Sequence, residues 1–251
     1  MTNTLKCELF LMYSDYMFKE KFISGKKVFY SDLIPELEHY FTTRGITVDE
    51  DFEGNRKYLK VDSLIHPSQT HSSNVDFAKV GKSDYPDTDA LILTNFEQGL
   101  YLRFADCTPV ILYDKKANIG AIAHAGWRGT VARIVPKTVK KMLEYSTTNI
   151  TDIYAVIGPA ISQCCYQVGQ EVIDGVKSSI NNTTGLITED FYIDLKGINA
   201  QQLLEIGVPK ENIDICPFCT ACRNDLFYSY RKENGTPNRH NAVIKLKKAT
   251  V

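Results

Sequence analysis

Three side chains suited to holding a metal stand where apolar runs stop. His71 closes Gln69-Thr70-His71 after a short apolar segment, Cys107 follows Asp106 just past the run 99–105, and His124 follows the run 119–123. Imidazole and thiolate are the usual donors to zinc, and three protein ligands leave one coordination position open, the arrangement of catalytic zinc. Water at that position would have its pKa lowered to roughly 7, giving a nucleophile at neutral pH. The same residues admit a metal-free chemistry, with Cys107 as nucleophile and His124 or His71 as its base. Asp106, adjacent to Cys107, is the candidate for proton transfer.

Anion binding falls to arginine, whose guanidinium meets phosphate in a bidentate fork. The candidates are Arg44, Arg56, Arg128 and Arg231; Arg128 follows Trp127, and Arg231 follows Phe227-Tyr228-Ser229-Tyr230. Trp127, the only tryptophan, is able to stack on a base or to pack in a core. Cys216, Cys219 and Cys222 form two overlapping CxxC spacings, but no second pair accompanies them and His240 is isolated. They are expected to be reduced thiols without a second metal. Cys164 and Cys165 are adjacent, and neighbouring side chains on a regular element point apart, so they are assigned no site.

The elements that must position these residues follow from periodicity. Strands are predicted near 5–13 and 27–30, a helix over 32–40 from Leu33, Leu37 and Tyr40, and a half-buried strand over 57–64. Short apolar runs at 90–93, 100–105, 110–113 and 119–123 read as strands, the last two joined by a hairpin through 115–118. Val131, Ile134, Val135, Val139, Met142 and Leu143 repeat with helical period, and Pro136 marks a first turn or a kink. Further strands are expected at 154–157, 212–216 and 242–246, and helices at 169–180 and 199–206. Strands in groups with helices interspersed favour an α/β fold of the α+β kind over strict βα alternation.

Composition sets the frame. The 251 residues suit one domain, 1–251, with no repeat or linker to divide it. A hydrophobic content of 43% and a charged content of 24% are ordinary for a globular chain. A net charge of −1 supplies no field for nucleic acid or an anionic membrane. The N-terminus lacks a signal-peptide pattern, no run reaches the roughly 20 apolar residues of a membrane span, and seven cysteines suggest reduced thiols. A cytoplasmic protein is expected; its oligomeric state is left open.

Taken in order, the motifs are similar to those of a known family. They are Phe41-Thr42-Thr43-Arg44, Asn55-Arg56, Gln69-Thr70-His71, Asp89-Ala90-Leu91, 105–110, 124–129, Gly158-Pro159-Ala160-Ile161, Tyr166-Gln167-Val168-Gly169, Cys219-Thr220 and 227–231. Together they resemble the bacterial YfiH/YlmD family, also called the multicopper polyphenol oxidase or laccase-domain family, which includes human FAMIN, over about 28–244. The resemblance implies a layered sandwich of mixed β-sheets flanked by helices, and a zinc held by His71, Cys107 and His124. It implies a purine nucleoside enzyme acting by phosphorolysis of inosine, guanosine, adenosine and methylthioadenosine, and by deamination of adenosine. Its partners would be purine nucleosides and phosphate, with Arg44, Arg56, Trp127 and Arg231 binding substrate and Cys107, Asp106 and Arg128 at the chemistry. Alternatives are hydrolysis of cytoplasmic peptidoglycan precursors, copper-dependent polyphenol oxidation as a secondary activity, and a non-catalytic zinc-stabilised binding protein. Many family members follow the threonine-arginine with Gly-Gly-Val-Ser, where this chain has Gly45-Ile46-Thr47-Val48. Five histidines are few for the type 1 and trinuclear centres of a multicopper oxidase, although copper also binds a His2Cys set.

Overall fold

The structure is a computed structural model that describes residues 17–45, 48 and 51–248. Its strands are β1 (Phe18–Ile23), β2 (Lys26–Ser31), β3 (Leu37–Thr42), β4 (Ser63–Ile65), β5 (Val75–Phe77) and β6 (Ala90–Leu93). They continue with β7 (Gln98–Phe104), β8 (Thr108–Asp114), β9 (Ile119–Ala125), β10 (Ile153–Ile157), β11 (Ile213–Ile215) and β12 (His240–Leu246). The helices are α1 (Phe52–Leu59), α2 (Trp127–Val131), α3 (Ile134–Ser146), α4 (Gln170–Ser179) and α5 (Leu195–Glu205).

Two six-stranded mixed sheets form, in the orders β1-β2-β3-β12-β7-β4 and β11-β10-β8-β9-β6-β5. They pack face to face, and the alternation along each strand says why. Leu100, Leu102 and Phe104 of β7 meet Leu91 and Leu93 of β6, Ile111 of β8 and Ile122 of β9 in the central core. The intervening residues Ile92, Val110, Leu112, Ala121 and Ala123 point to the opposite face, where Ile134, Val135, Val139 and Met142 of α3 and Leu203 of α5 cover them. A sheet covered on both faces needs apolar residues at every position, which is why these strands read as continuous runs. The outer face of the first sheet is closed by Leu59 of α1 against Tyr40, Tyr101 and Val243. This is the layered, mixed-sheet α/β architecture expected from the motifs. Among the described residues, no helix is long and apolar enough to cross a membrane.

Two local expectations give way. Residues 32–40 form a turn leading into β3 rather than a helix, because β3 is paired on both sides, by β2 and β12, and buried on both faces. Its apolar spacing therefore carries no information about period. The 57–64 alternation is the end of α1 followed by β4. The Asp51 side chain caps α1 by accepting from Gly54 N, and Lys60 in the left-handed region ends it. Pro136 lies in the first turn of α3, where its missing N–H costs nothing. The strand expected at 5–13 lies outside the described residues.

Candidate metal centre

Strand pairing brings the three ligands together. Cys107 lies in the two-strand connection from β7 to β8, and the β8–β9 register sets Pro109 opposite His124. The β6–β9 register sets Ala90 opposite Ala123, so Asp89 enters beside His124, whose N–H donates to the Asp89 carbonyl at 2.7 Å. His71 arrives from the loop between β4 and β5. Ligand atoms of His71, Cys107 and His124 all lie within 4.8 Å of one another. His124 is buried, Cys107 half-buried and His71 exposed, so the cluster is open on the His71 side.

Asp89 organises this centre and was not singled out as a site residue by sequence reasoning. Its side chain, fully buried, accepts from His124 Nδ1 at 2.7 Å, from the N–H groups of Thr70 (3.0 Å), His71 (3.0 Å) and Ser72 (2.8 Å), and from Ser72 Oγ (2.8 Å). Burial alone would raise its pKa, but the bonds from His124, Ser72 and Thr70 outweigh it and hold the carboxylate at about 2. With Nδ1–H committed to Asp89, His124 presents Nε2 to a metal, the carboxylate–histidine arrangement of metal sites. The same bonds hold His71 at φ 64°, a left-handed conformation that a non-glycine residue rarely adopts.

Charge at the centre is paired. Burial opposes ionisation of Cys107, yet the His124 charge beside it and hydrogen bonds from His124 and His71 bring the thiol down to about 6. Burial likewise opposes a charge on His124, but Cys107 and Asp89 raise it to about 9. A thiolate ready at neutral pH is what a metal ligand or a nucleophile needs. Gly126 permits the approach: a Cβ there would stand 3.0 Å from Cys107 Sγ and 3.1 Å from His71 Cδ2.

Beside the centre runs a cleft of about 420 Å³ lined by Trp127, Tyr166, Gln167, Val168, Gly169, Val172 and Arg231. Arg231 donates to the Gln167 carbonyl at 2.9 Å, and its guanidinium lies 5.2 Å from the Tyr166 ring. Burial, with the nearby charge of Cys107, raises the Tyr166 phenol pKa well above its ordinary value. Arg128, exposed, stacks on Trp127 at 4.4 Å. Asp106, at φ 83°, accepts from Thr220 Oγ1 at 2.6 Å and from Arg231 N at 2.7 Å. Burial raises its pKa, and those two donors work against the rise.

The sequence-predicted residues therefore divide. His71, Cys107 and His124 converge, with Asp106 adjacent; Trp127 and Arg231 line the cleft and Arg128 flanks it. Arg44 and Arg56 do not join them. Arg44 is bound to Glu233 and the Phe227 carbonyl and lies over Tyr228, while Arg56 on α1 pairs with Glu53. Besides Asp89, sequence reasoning missed Tyr166, known only as part of a motif, and half-buried Arg239. Burial and Arg103 lower the Arg239 pKa, against the charges of Cys107 and Asp106. The remaining histidines have other surroundings. His39 accepts from Ser31 N, His66 lies against Tyr101, and His240 is buried beside Phe104 and Phe227, where burial brings its pKa to about 3.

One expectation about the cysteines is overturned. Cys164, Cys165, Cys219 and Cys222 bring their sulfurs together within 4.8 Å. Cys164 and Cys165 sit in a turn, with Cys165 N and Tyr166 N both donating to the Ser162 carbonyl, so the divergence of neighbours on a regular element does not apply.

The family described as multi-copper polyphenol oxidoreductase laccase matches residues 46–247. Purine nucleoside phosphorylase YlmD of Bacillus subtilis is 34% identical over 80% of this chain and 79% of its own length. Adenosine deaminase RL5, from an unknown prokaryotic organism, is 34% identical over 69% of this chain and 71% of its own. The solved structure of Bacillus licheniformis hypothetical protein YfiH superposes with a TM-score of 0.84 at 27% identity, covering 91% of this chain and 99% of that one. YlmD from Geobacillus stearothermophilus gives 0.83 at 25% identity, covering 93% and 100%.

Proposed function

The chain belongs to the multi-copper polyphenol oxidoreductase laccase family, and from that premise we propose that it is a zinc-containing purine nucleoside enzyme. Its reactions are phosphorolysis of inosine, guanosine, adenosine and methylthioadenosine, and hydrolytic deamination of adenosine. The observation that carries this reading is an open-sided His2Cys cluster next to a cleft with aromatic walls and a guanidinium. Two of the most similar relatives bear the names of these two activities.

His71, Cys107 and His124 would hold zinc, which supplies Lewis acidity at an open coordination position. Asp89 keeps His124 in the tautomer that binds and fixes the backbone carrying His71. Trp127 and Tyr166 offer ring faces against which a purine stacks. Arg231 spends one N–H on Gln167 and has further donors to give a phosphate in the cleft. Asp106 accepts from the Arg231 N–H, and burial raises its pKa beside the ligand Cys107, so it is assigned the proton transfer. Phosphorolysis breaks the bond from ribose to base and joins phosphate to the sugar; deamination consumes water at C6 and releases ammonia.

Copper oxidation as the principal chemistry fits less well. Only two of the five histidines reach the centre, and Met142 and Met17, the described methionines, lie in the helix-side core and at an exposed chain position. A type 1 and a trinuclear copper centre need more imidazoles than that. The test is chromatography of products from zinc-loaded protein given adenosine or inosine, with and without phosphate. Free base and ribose 1-phosphate should appear only with phosphate, and inosine from adenosine without it. Intact nucleosides under both conditions, with UDP-muramyl substrates cleaved instead, would replace this reading by the precursor hydrolase.

A further inference from the structure

We propose that Cys164, Cys165, Cys219 and Cys222 form a second, structural zinc site, closed by four thiolates. The distances suit it. With Zn–S bonds of about 2.3 Å, sulfurs at the corners of a tetrahedron stand about 3.8 Å apart. Here Cys164 Sγ is 3.6 Å and Cys165 Sγ 3.4 Å from Cys222 Sγ, and all four sulfurs lie within 4.8 Å of one another. None of these cysteines is in a disulfide.

The backbone is shaped for such a site from two directions. The turn at 163–165 presents adjacent cysteines on one side, while Arg223 N donates to the Cys219 carbonyl at 2.8 Å and winds 219–222 into a turn. The two segments are already joined, by Thr220 N donating to the Ala160 carbonyl and by a parallel bridge from Ala160 to Cys219. Ser162 N lies 3.4 Å from Cys219 Sγ and donates to it, the outer hydrogen bond that steadies a metal-bound thiolate. Ile161, Ala221 and Tyr166 pack around the cluster. Cys216 takes no part: it is buried apart from the group, and burial pushes its thiol up to about 12. The second half of the zinc site, absent from the CxxC run, is thus supplied by Cys164-Cys165.

Four soft sulfur donors select zinc over harder cations, and a full tetrahedron leaves no position for substrate. The role is to staple a segment of the cleft wall to the 219–222 turn. One carries Tyr166, and the other carries Thr220, which bonds Asp106. This assignment stands independently of which substrate the cleft takes.

Metal analysis of the full chain, purified under reducing conditions, tests it. Wild type should carry two equivalents of zinc, Cys107→Ala one, and Cys164→Ser/Cys222→Ser one. Because the double variant could fail to fold, the second readout uses Cys107→Ala loaded with cobalt. It should show the strong thiolate charge-transfer and d–d bands of a tetrahedral four-sulfur site. Zinc-free Cys107→Ala that also gives no such cobalt spectrum would overturn the proposal. So would a thiol titration showing that the four cysteines pair as disulfides while the folded chain takes up no second zinc.

Discussion

The molecule holds two sulfur-containing clusters, and their ligand sets and surroundings differ in kind. His71 comes from the β4–β5 loop, Cys107 from the β7–β8 connection and His124 from the end of β9; they mix nitrogen with sulfur and leave an exposed side, and their outer support is a single buried carboxylate, Asp89. Cys164, Cys165, Cys219 and Cys222 come from two turns, offer sulfur alone, and are supported by a backbone N–H. The comparison teaches that openness and donor type separate a centre built to react from one built to hold. An open three-ligand set exchanges its fourth ligand, whereas a closed tetrathiolate does not.

The expected effects of substitution sharpen this contrast, and in each the tetrathiolate zinc should remain. Cys107→Ala should empty the open centre and lower phosphorolysis and deamination together by about a thousandfold or more, since the metal's share of the barrier is several kcal/mol. Loss of one activity alone would place the other elsewhere. Asp89→Asn should weaken zinc at the open centre by about 10- to 100-fold, the usual cost of removing an outer-shell carboxylate. The same variant has a pH signature in metal-free protein. A carboxylate held at about 2 stabilises the fold above its unfolded pKa near 4, and that contribution is lost as pH falls through 2. Acid unfolding of wild type should therefore steepen across this window, and Asp89→Asn should flatten it.

Arg231→Ala should leave both metals in place and reduce phosphorolysis about ten- to hundredfold, for a charge-assisted bond of roughly 1.5–3 kcal/mol realised in the transition state. Deamination, which uses no phosphate, should change less; equal losses would make Arg231 structural or a nucleoside contact. The smallest effect is expected from Gly126→Ala, whose Cβ would meet Cys107 Sγ at 3.0 Å and His71 Cδ2 at 3.1 Å. Spreading these ligands by a few tenths of an ångström should lower zinc affinity at the open centre by about tenfold or less. Unchanged affinity would mean that the ligands yield without loss.

The open centre was legible in the sequence because its ligands stand at the ends of apolar runs, and β7, β8 and β9 follow those runs closely. Asp89 was not, since its contact with His124 spans 35 residues and exists only once β6 pairs with β9. The second cluster hid for a similar reason: Cys164-Cys165 looked divergent because the turn that aims both sulfurs at Cys222 leaves no periodic mark. In the fold, strands covered on both faces were visible as runs, but β3 was lost where burial on both sides erased its alternation. The 57–64 alternation misled because it straddles the end of α1, whose start is set by Asp51 accepting from Gly54 N outside that window.

The central claim is most directly tested by returning zinc to chelator-stripped native protein and following adenosine deamination and inosine phosphorolysis at each addition. The tetrathiolate should resist stripping, and both activities should rise in proportion as the His71–Cys107–His124 centre fills, reaching a plateau at one added equivalent. Full turnover before zinc is restored, or none after the centre is saturated, would contradict the account.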